Sequence, residues 1–201
     1  MPYRVFDGHC DTPVELWLQE KQLRSSDLAV SLDKAAGLGG YAQFFAFCTA
    51  WIETRMPHTE HFSRALDYFL AQLRKNEDRI TLCRTAPEAE AAMQAGKCAA
   101  FLAIEGAEAV REDEGLLELA YEAGVRMVSL VWNLPNGLSG SCQTGEGLTE
   151  KGKRFFRRAQ KLGMLVDVSH LSEKGFWDMA ELAEKPVSYT HLRAHETKAN
   201  L

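Results

Sequence analysis

The chain has 201 residues, of which 46% are hydrophobic and 25% charged, and a formal net charge of -5. A chain of this size buries a sizeable core as one domain or two small ones, and an acidic balance without a basic stripe argues against a nucleic-acid partner. No apolar run approaches a membrane span, and Met1-Pro2-Tyr3-Arg4 leads straight into a strand, so the expectation is a cytoplasmic protein with no membrane partner. Five scattered cysteines without a Cys-x-x-Cys pair point the same way, to core thiols in a reducing compartment.

In chain order, residues 4–9 read as a strand and 13–22 as a helix. Residues 42–48 form a second strand, and 59–75 place Phe62, Leu66, Phe69, Leu70 and Leu73 on one helical face. After the short run Ile80 to Cys83 comes a helix with Pro87 near its start and Gly96 at its end. A strand at 99–104, a helix at 114–123 and a strand at 125–131 follow. Thr149 opens a helix that Gly163 ends, Met164 to Val168 form a strand, and Phe176, Met179, Ala180 and Leu182 lie on another helix. A last apolar start appears at Pro186-Val187. The basic cluster Lys151, Lys153, Arg154, Arg157, Arg158 and Lys161 surrounds Phe155 and Phe156 at helical spacing and reads as a solvated face.

Roughly six βα steps without internal repeats predict an α/β architecture with a parallel sheet. A (β/α)8 barrel needs about 250 residues, so this chain contains only part of one. A doubly wound sheet is the alternative, but the first strand runs into His-Cys-Asp-Thr and not into a glycine-rich phosphate loop.

The strand ends carry the chemistry. His9 and Asp11 are two residues apart, so on a strand both face the same way, at the mouth where barrel enzymes build their sites. A strand-end His and a helix-capping Asp would explain the pair equally well in isolation. The recurrence argues otherwise. Glu105 ends the apolar run Ala99 to Ile104, His170 ends Met164 to Val168, and His191 follows Pro186 in the same manner. Burying a carboxylate at such a position is costly unless it is paired or metal-bound. Three imidazoles and two carboxylates without a thiolate suit zinc or another first-row divalent ion, and five ligands suggest two ions sharing one carboxylate.

The segment Ile104-Glu105-Gly106-Ala107, with Leu117, Tyr121, Gly124, Val125 and Arg126 behind it, resembles the active-site signature of the membrane dipeptidase (renal dipeptidase) family of zinc peptidases. Gly147-Leu148-Thr149, Gly152, Leu162-Gly163-Met164 and Asp167-Val168-Ser169-His170 follow the same pattern, and Asp7-Gly8-His9-Cys10-Asp11-Thr12 is similar to the family's first metal motif. The resemblance implies an incomplete TIM-type barrel of the metal-dependent hydrolase kind. It implies two Zn2+ ions, with His9 and Asp11 on one, Glu105 bridging, and His170 with the His191 position on the other. It further implies a dipeptide substrate, often with a D-residue on the C-terminal side. Glu105 and Asp11 are then the carboxylates of the catalytic centre. Trp132 and Asn133 lie at the family's substrate-binding position, Trp132 standing where better-known members carry His. A homodimer is left open.

Residues 188–201 break from the apolar strand expected after Val187 and resemble a translated adapter tail, so the expectation is a dipeptidase segment over 1–187 followed by a non-native tail. The same expectation makes activity of this piece uncertain, with a barrel amidohydrolase acting on another amide, or a non-catalytic metal-binding remnant, as alternatives.

Overall fold

The computed structural model describes residues 3–52 and 55–190. The chain folds into two compact units, Met1–Phe47 with Glu60–Ala103, and Cys48–Thr59 with Ile104–Leu201.

The first unit contains β1 (Arg4–Cys10), α1 (Thr12–Leu18), β2 (Gly40–Cys48), α2 (His58–Lys75), β3 (Ile80–Leu82), α3 (Ala86–Gln94) and most of β4 (Cys98–Glu105). Its strands lie in the order β1, β2, β4, with β3 also beside β4, and the β1/β2 and β3/β4 pairs are parallel. Every residue of β2 and β4 is buried, as expected for parallel strands covered on both faces. The amphipathic stripe of α2 supplies part of that cover. Phe69 packs on Phe45 at 4.8 Å between ring centroids, and Phe62 meets Phe47 edge-on at 5.4 Å. Thr85 caps α3 by accepting from the Glu88 amide, with Pro87 in the first turn.

α1 is shorter than its sequence pattern suggests. It ends at Leu18, and the chain turns through Glu20 at φ 52°, where the Lys21 amide donates to the Leu16 carbonyl at 2.9 Å. The stretch Gln19-Glu20-Lys21-Gln22 offers no apolar side chain to continue the buried stripe.

The second unit contains the end of β4, α4 (Glu114–Ala123), β5 (Val125–Ser129), α5 (Glu150–Leu162), β6 (Leu165–Asp167) and α6 (Glu173–Leu182). β5 and β6 are parallel, with Met127 opposite Leu165 and Ser129 opposite Asp167. Thr149 and Gly163 bracket α5 as its sequence predicts, the hydroxyl accepting from the Gly152 amide and Gly163 adopting φ 88°. Phe155, Phe156 and Ala159 are buried along α5. β5 stops at Ser129, two residues earlier than the apolar run, and the Leu130 carbonyl accepts from the Asn136 side-chain amide of the following loop as well as from the Ala107 amide. Ser188 continues the parallel arrangement: its amide donates to the Val166 carbonyl and its carbonyl accepts from the Val168 amide, both at 2.8 Å.

Candidate metal centre

The end of β1 presents His9 and Asp11. Pairing with β2 slips between Asp7 and Cys10, so three steps on β1 match two on β2, from Gln43 to Phe45. Such a bulge re-aims the side chains that follow it and is common beside active sites. The Asp7 carboxylate fixes the bulge by accepting from the His9 amide at 3.1 Å. Beyond it, His9 Nε2 and Asp11 Oδ1 stand 3.5 Å apart. Asp11 occupies the N-cap position of α1 yet makes no capping hydrogen bond, so helix capping does not account for its carboxylate. Its Oδ1 atom is buried and has no hydrogen-bond partner among the described residues. Between the two ligand candidates, Cys10 points into the core, and burial pushes its thiol up to about 12, too high to supply a thiolate at neutral pH.

The second unit presents a pair of a different kind. Glu105, the last residue of β4, is 3% exposed, and His170 is 4% exposed. His170 Nε2 lies 2.8 Å from Glu105 Oε1, and His170 Nδ1 lies 3.0 Å from Asn133 Oδ1. The imidazole is thus held at both nitrogens, and the Trp132 indole lies beside it at 6.3 Å between ring centroids. Gly106, directly after Glu105, adopts φ 86°, and a Cβ there would fall 2.5 Å from Glu108 Oε2. Only glycine therefore lets the chain leave β4 in this direction.

Near the pair, Asp167 is 1% exposed and accepts from the Ser169 amide and hydroxyl and, at 2.7 Å, from the Thr190 hydroxyl. His191, the fifth ligand expected from the sequence, lies outside the described residues.

Sequence reasoning passed over Glu108 and Asn136. Burial raises the Glu108 carboxyl above the ordinary carboxylate range, and its Oε1 accepts from Asn136 Nδ2 at 2.8 Å. The available signal was a second acidic residue one short turn after Glu105, but its partner is 28 positions away along the chain.

These donors fit a divalent metal. They comprise imidazole nitrogens and carboxylate oxygens, and one buried carboxylate oxygen, Asp11 Oδ1, has no hydrogen-bond partner among the described residues. The sequence profile of the membrane dipeptidases, peptidase family M19, matches residues 2–200. The chain belongs to this family.

An uncharacterized protein of Acinetobacter calcoaceticus, encoded in the PQQ-III 3' region, is 30% identical over 95% of this chain and 71% of its own length. A metallopeptidase of Rhodobacter sphaeroides, solved with a phosphinate mimic of the dipeptide L-Ala-D-Ala, superposes with a TM-score of 0.82 at 28% identity, covering 94% of this chain and 65% of its own. A solved metallopeptidase of family M19 described as dipeptidase AC gives a TM-score of 0.80 at 30% identity, over 94% of this chain and 63% of its own. The fold is accordingly the α/β barrel type of these metallo-dipeptidases, present in part, and not a doubly wound sheet. The chain spans about two thirds of the length of the solved relatives. No helix among the described residues is long and apolar enough to cross a membrane.

Proposed function

We propose that the chain carries the ligand-bearing part of a dipeptidase that uses two zinc ions and accepts dipeptides with a C-terminal D-residue. The observation that carries this reading is the buried Glu105–His170 pair, a carboxylate and an imidazole 2.8 Å apart in a member of a dipeptidase family. Asp11 supports it, because a buried carboxylate oxygen without a hydrogen-bond partner is what a divalent cation satisfies.

In this reading His9 and Asp11 hold one ion, Glu105 bridges, and His170 holds the other together with the His191 position. The donor set of His9, Asp11 and Glu105 has the composition a first-row divalent ion takes. When bound, two such ions supply Lewis-acid activation of water and of the scissile carbonyl. The chain's own residues do the rest. Trp132 borders the imidazole and shapes the substrate side. An indole donates one hydrogen bond but cannot relay a proton, so proton handling falls to the carboxylates Asp11 and Glu105. The family supports the dipeptide class, and the Rhodobacter relative's ligand, a phosphinate mimic of L-Ala-D-Ala, supports acceptance of a C-terminal D-residue. All five cysteines are free, which fits a reducing compartment, and we place the protein in the cytoplasm.

Trp132 in place of the expected His favours a second reading, a barrel amidohydrolase acting on another amide. Hydrolysis of L-Ala-D-Ala, L-Ala-L-Ala and an N-acyl amino acid by the zinc-loaded protein separates the two. The first reading predicts dipeptide cleavage that a chelator abolishes and zinc restores, whereas cleavage of the N-acyl amino acid alone supports the second. Zinc-loaded protein that cleaves none of the three contradicts both.

A further inference from the structure

We propose that Asn133 is a positioning residue for His170 and not a substrate contact, within a loop clamp that fixes the imidazole before any ligand arrives. The proposal deepens the metal-site reading above and rests on it for its functional meaning.

His170 adopts the left-handed backbone region at φ 69°, uncommon for a residue with a side chain although histidine enters it more readily than most. A residue held there needs surroundings that over-determine it, and the segment after β5 provides them. The His170 carbonyl accepts from the Cys142 amide at 2.7 Å, and Leu171 forms an antiparallel bridge with Ser141. Ser141 in turn donates its hydroxyl to the Asn133 carbonyl at 2.7 Å. Asn133 then closes the circuit through its side chain, at 3.0 Å from His170 Nδ1. The loop is itself pinned at its base, where Asn136 donates to the Leu130 carbonyl and to Glu108 Oε1 and its own Oδ1 accepts from the Leu138 amide.

The chemistry of this contact is directional. An amide oxygen facing Nδ1 accepts a hydrogen bond from it, so Nε2, the nitrogen paired with Glu105, is the one whose proton a metal displaces. Partners that fix the tautomer and ring orientation of a metal-binding histidine typically change metal affinity 10- to 100-fold when removed. Asn133 thereby selects the imidazole form able to ligate a metal, through a bond that engages its side-chain oxygen.

The test uses the 201-residue chain, with zinc as the probe. Zinc affinity is measured by competition with a chromophoric chelator, and the ring 15N shifts of His170 report its tautomer without metal. Asn133→Leu, close in volume but without an acceptor, is expected to weaken zinc binding about 10- to 100-fold and to shift the Nδ1 resonance as its hydrogen bond is lost. Asn133→Asp restores an acceptor at the same place and is expected to stay within about threefold of wild type in affinity. It also controls for misfolding of the leucine variant.

Unchanged affinity and Nδ1 resonance in Asn133→Leu, with only KM for a dipeptide raised, overturns the proposal in favour of a substrate contact. If wild type shows no zinc affinity but the Nδ1 resonance still depends on Asn133, the metal reading fails and the positioning role stands.

Discussion

The two ends that present ligand candidates are built on opposite principles. At the end of β1, His9 and Asp11 follow a backbone bulge, the Asp11 side chain is 47% exposed, and one of its oxygens lacks a hydrogen-bond partner. At the ends of β4 and β6, Glu105 and His170 are nearly inaccessible, pair with each other, and are braced by Asn133 and by the loop through Cys142. The difference separates preorganisation from satisfaction. The second pair holds its geometry through protein contacts alone, whereas the first leaves one carboxylate oxygen without a hydrogen bond, open to a ligand.

The comparison is most directly broken at the braced pair. Glu105→Gln keeps the shape of β4 but removes a charge shared with His170, and is expected to lower dipeptide hydrolysis by at least about a thousandfold in steady-state assays while the circular dichroism spectrum is retained. Wild-type turnover in that variant would remove Glu105 from the centre. Gly106→Ala should be next in size. Its Cβ meets Glu108 and its φ of 86° is unfavourable, so urea unfolding should show a loss of about 1–3 kcal/mol.

Asp11→Asn sharpens the contrast. Because Asp11 makes no capping bond, metal-free stability should change by less than about 0.5 kcal/mol, while the upward shift of Tm on adding zinc should shrink. A large loss of metal-free stability would show that Asp11 is already satisfied by the protein.

A pH dependence carried by buried thiols separates the two units in another way. Burial raises the thiols of Cys10 and Cys98 from 9.0 to about 12 and that of Cys83 to about 11. Each raised thiol contributes stability that is full below pH 9 and is lost as pH rises through the folded value. Unfolding followed between pH 9 and 12 should therefore report a progressive loss, and Cys142, which is exposed, should be alkylated at pH 8 while these three stay protected.

Much of the frame was legible because burial imposes a period. β2 and β4 are continuous apolar runs, α2 and α5 carry clear stripes, and Thr149 with Gly163 marks both ends of α5. Glu105 stood out because a carboxylate ends a fully buried strand. What escaped were features set by backbone geometry and by contacts distant in sequence. Neither the slip between Asp7 and Cys10 nor the left-handed backbone of His170 leaves a residue-type signature. The Asn133–His170 contact spans 37 positions and the Glu108–Asn136 contact 28, beyond the reach of any local pattern. α1 was overextended because its sequence lacks a breaker where its apolar stripe ends.

The most direct test is the zinc content of the purified chain after dialysis against excess metal, measured by atomic emission beside Asp11→Asn and His170→Ala. The account predicts two zinc ions per chain in wild type and about one in each variant, because the two ligand ends hold separate ions. Wild-type protein that retains no stoichiometric zinc, or variants that keep the full complement, would contradict it.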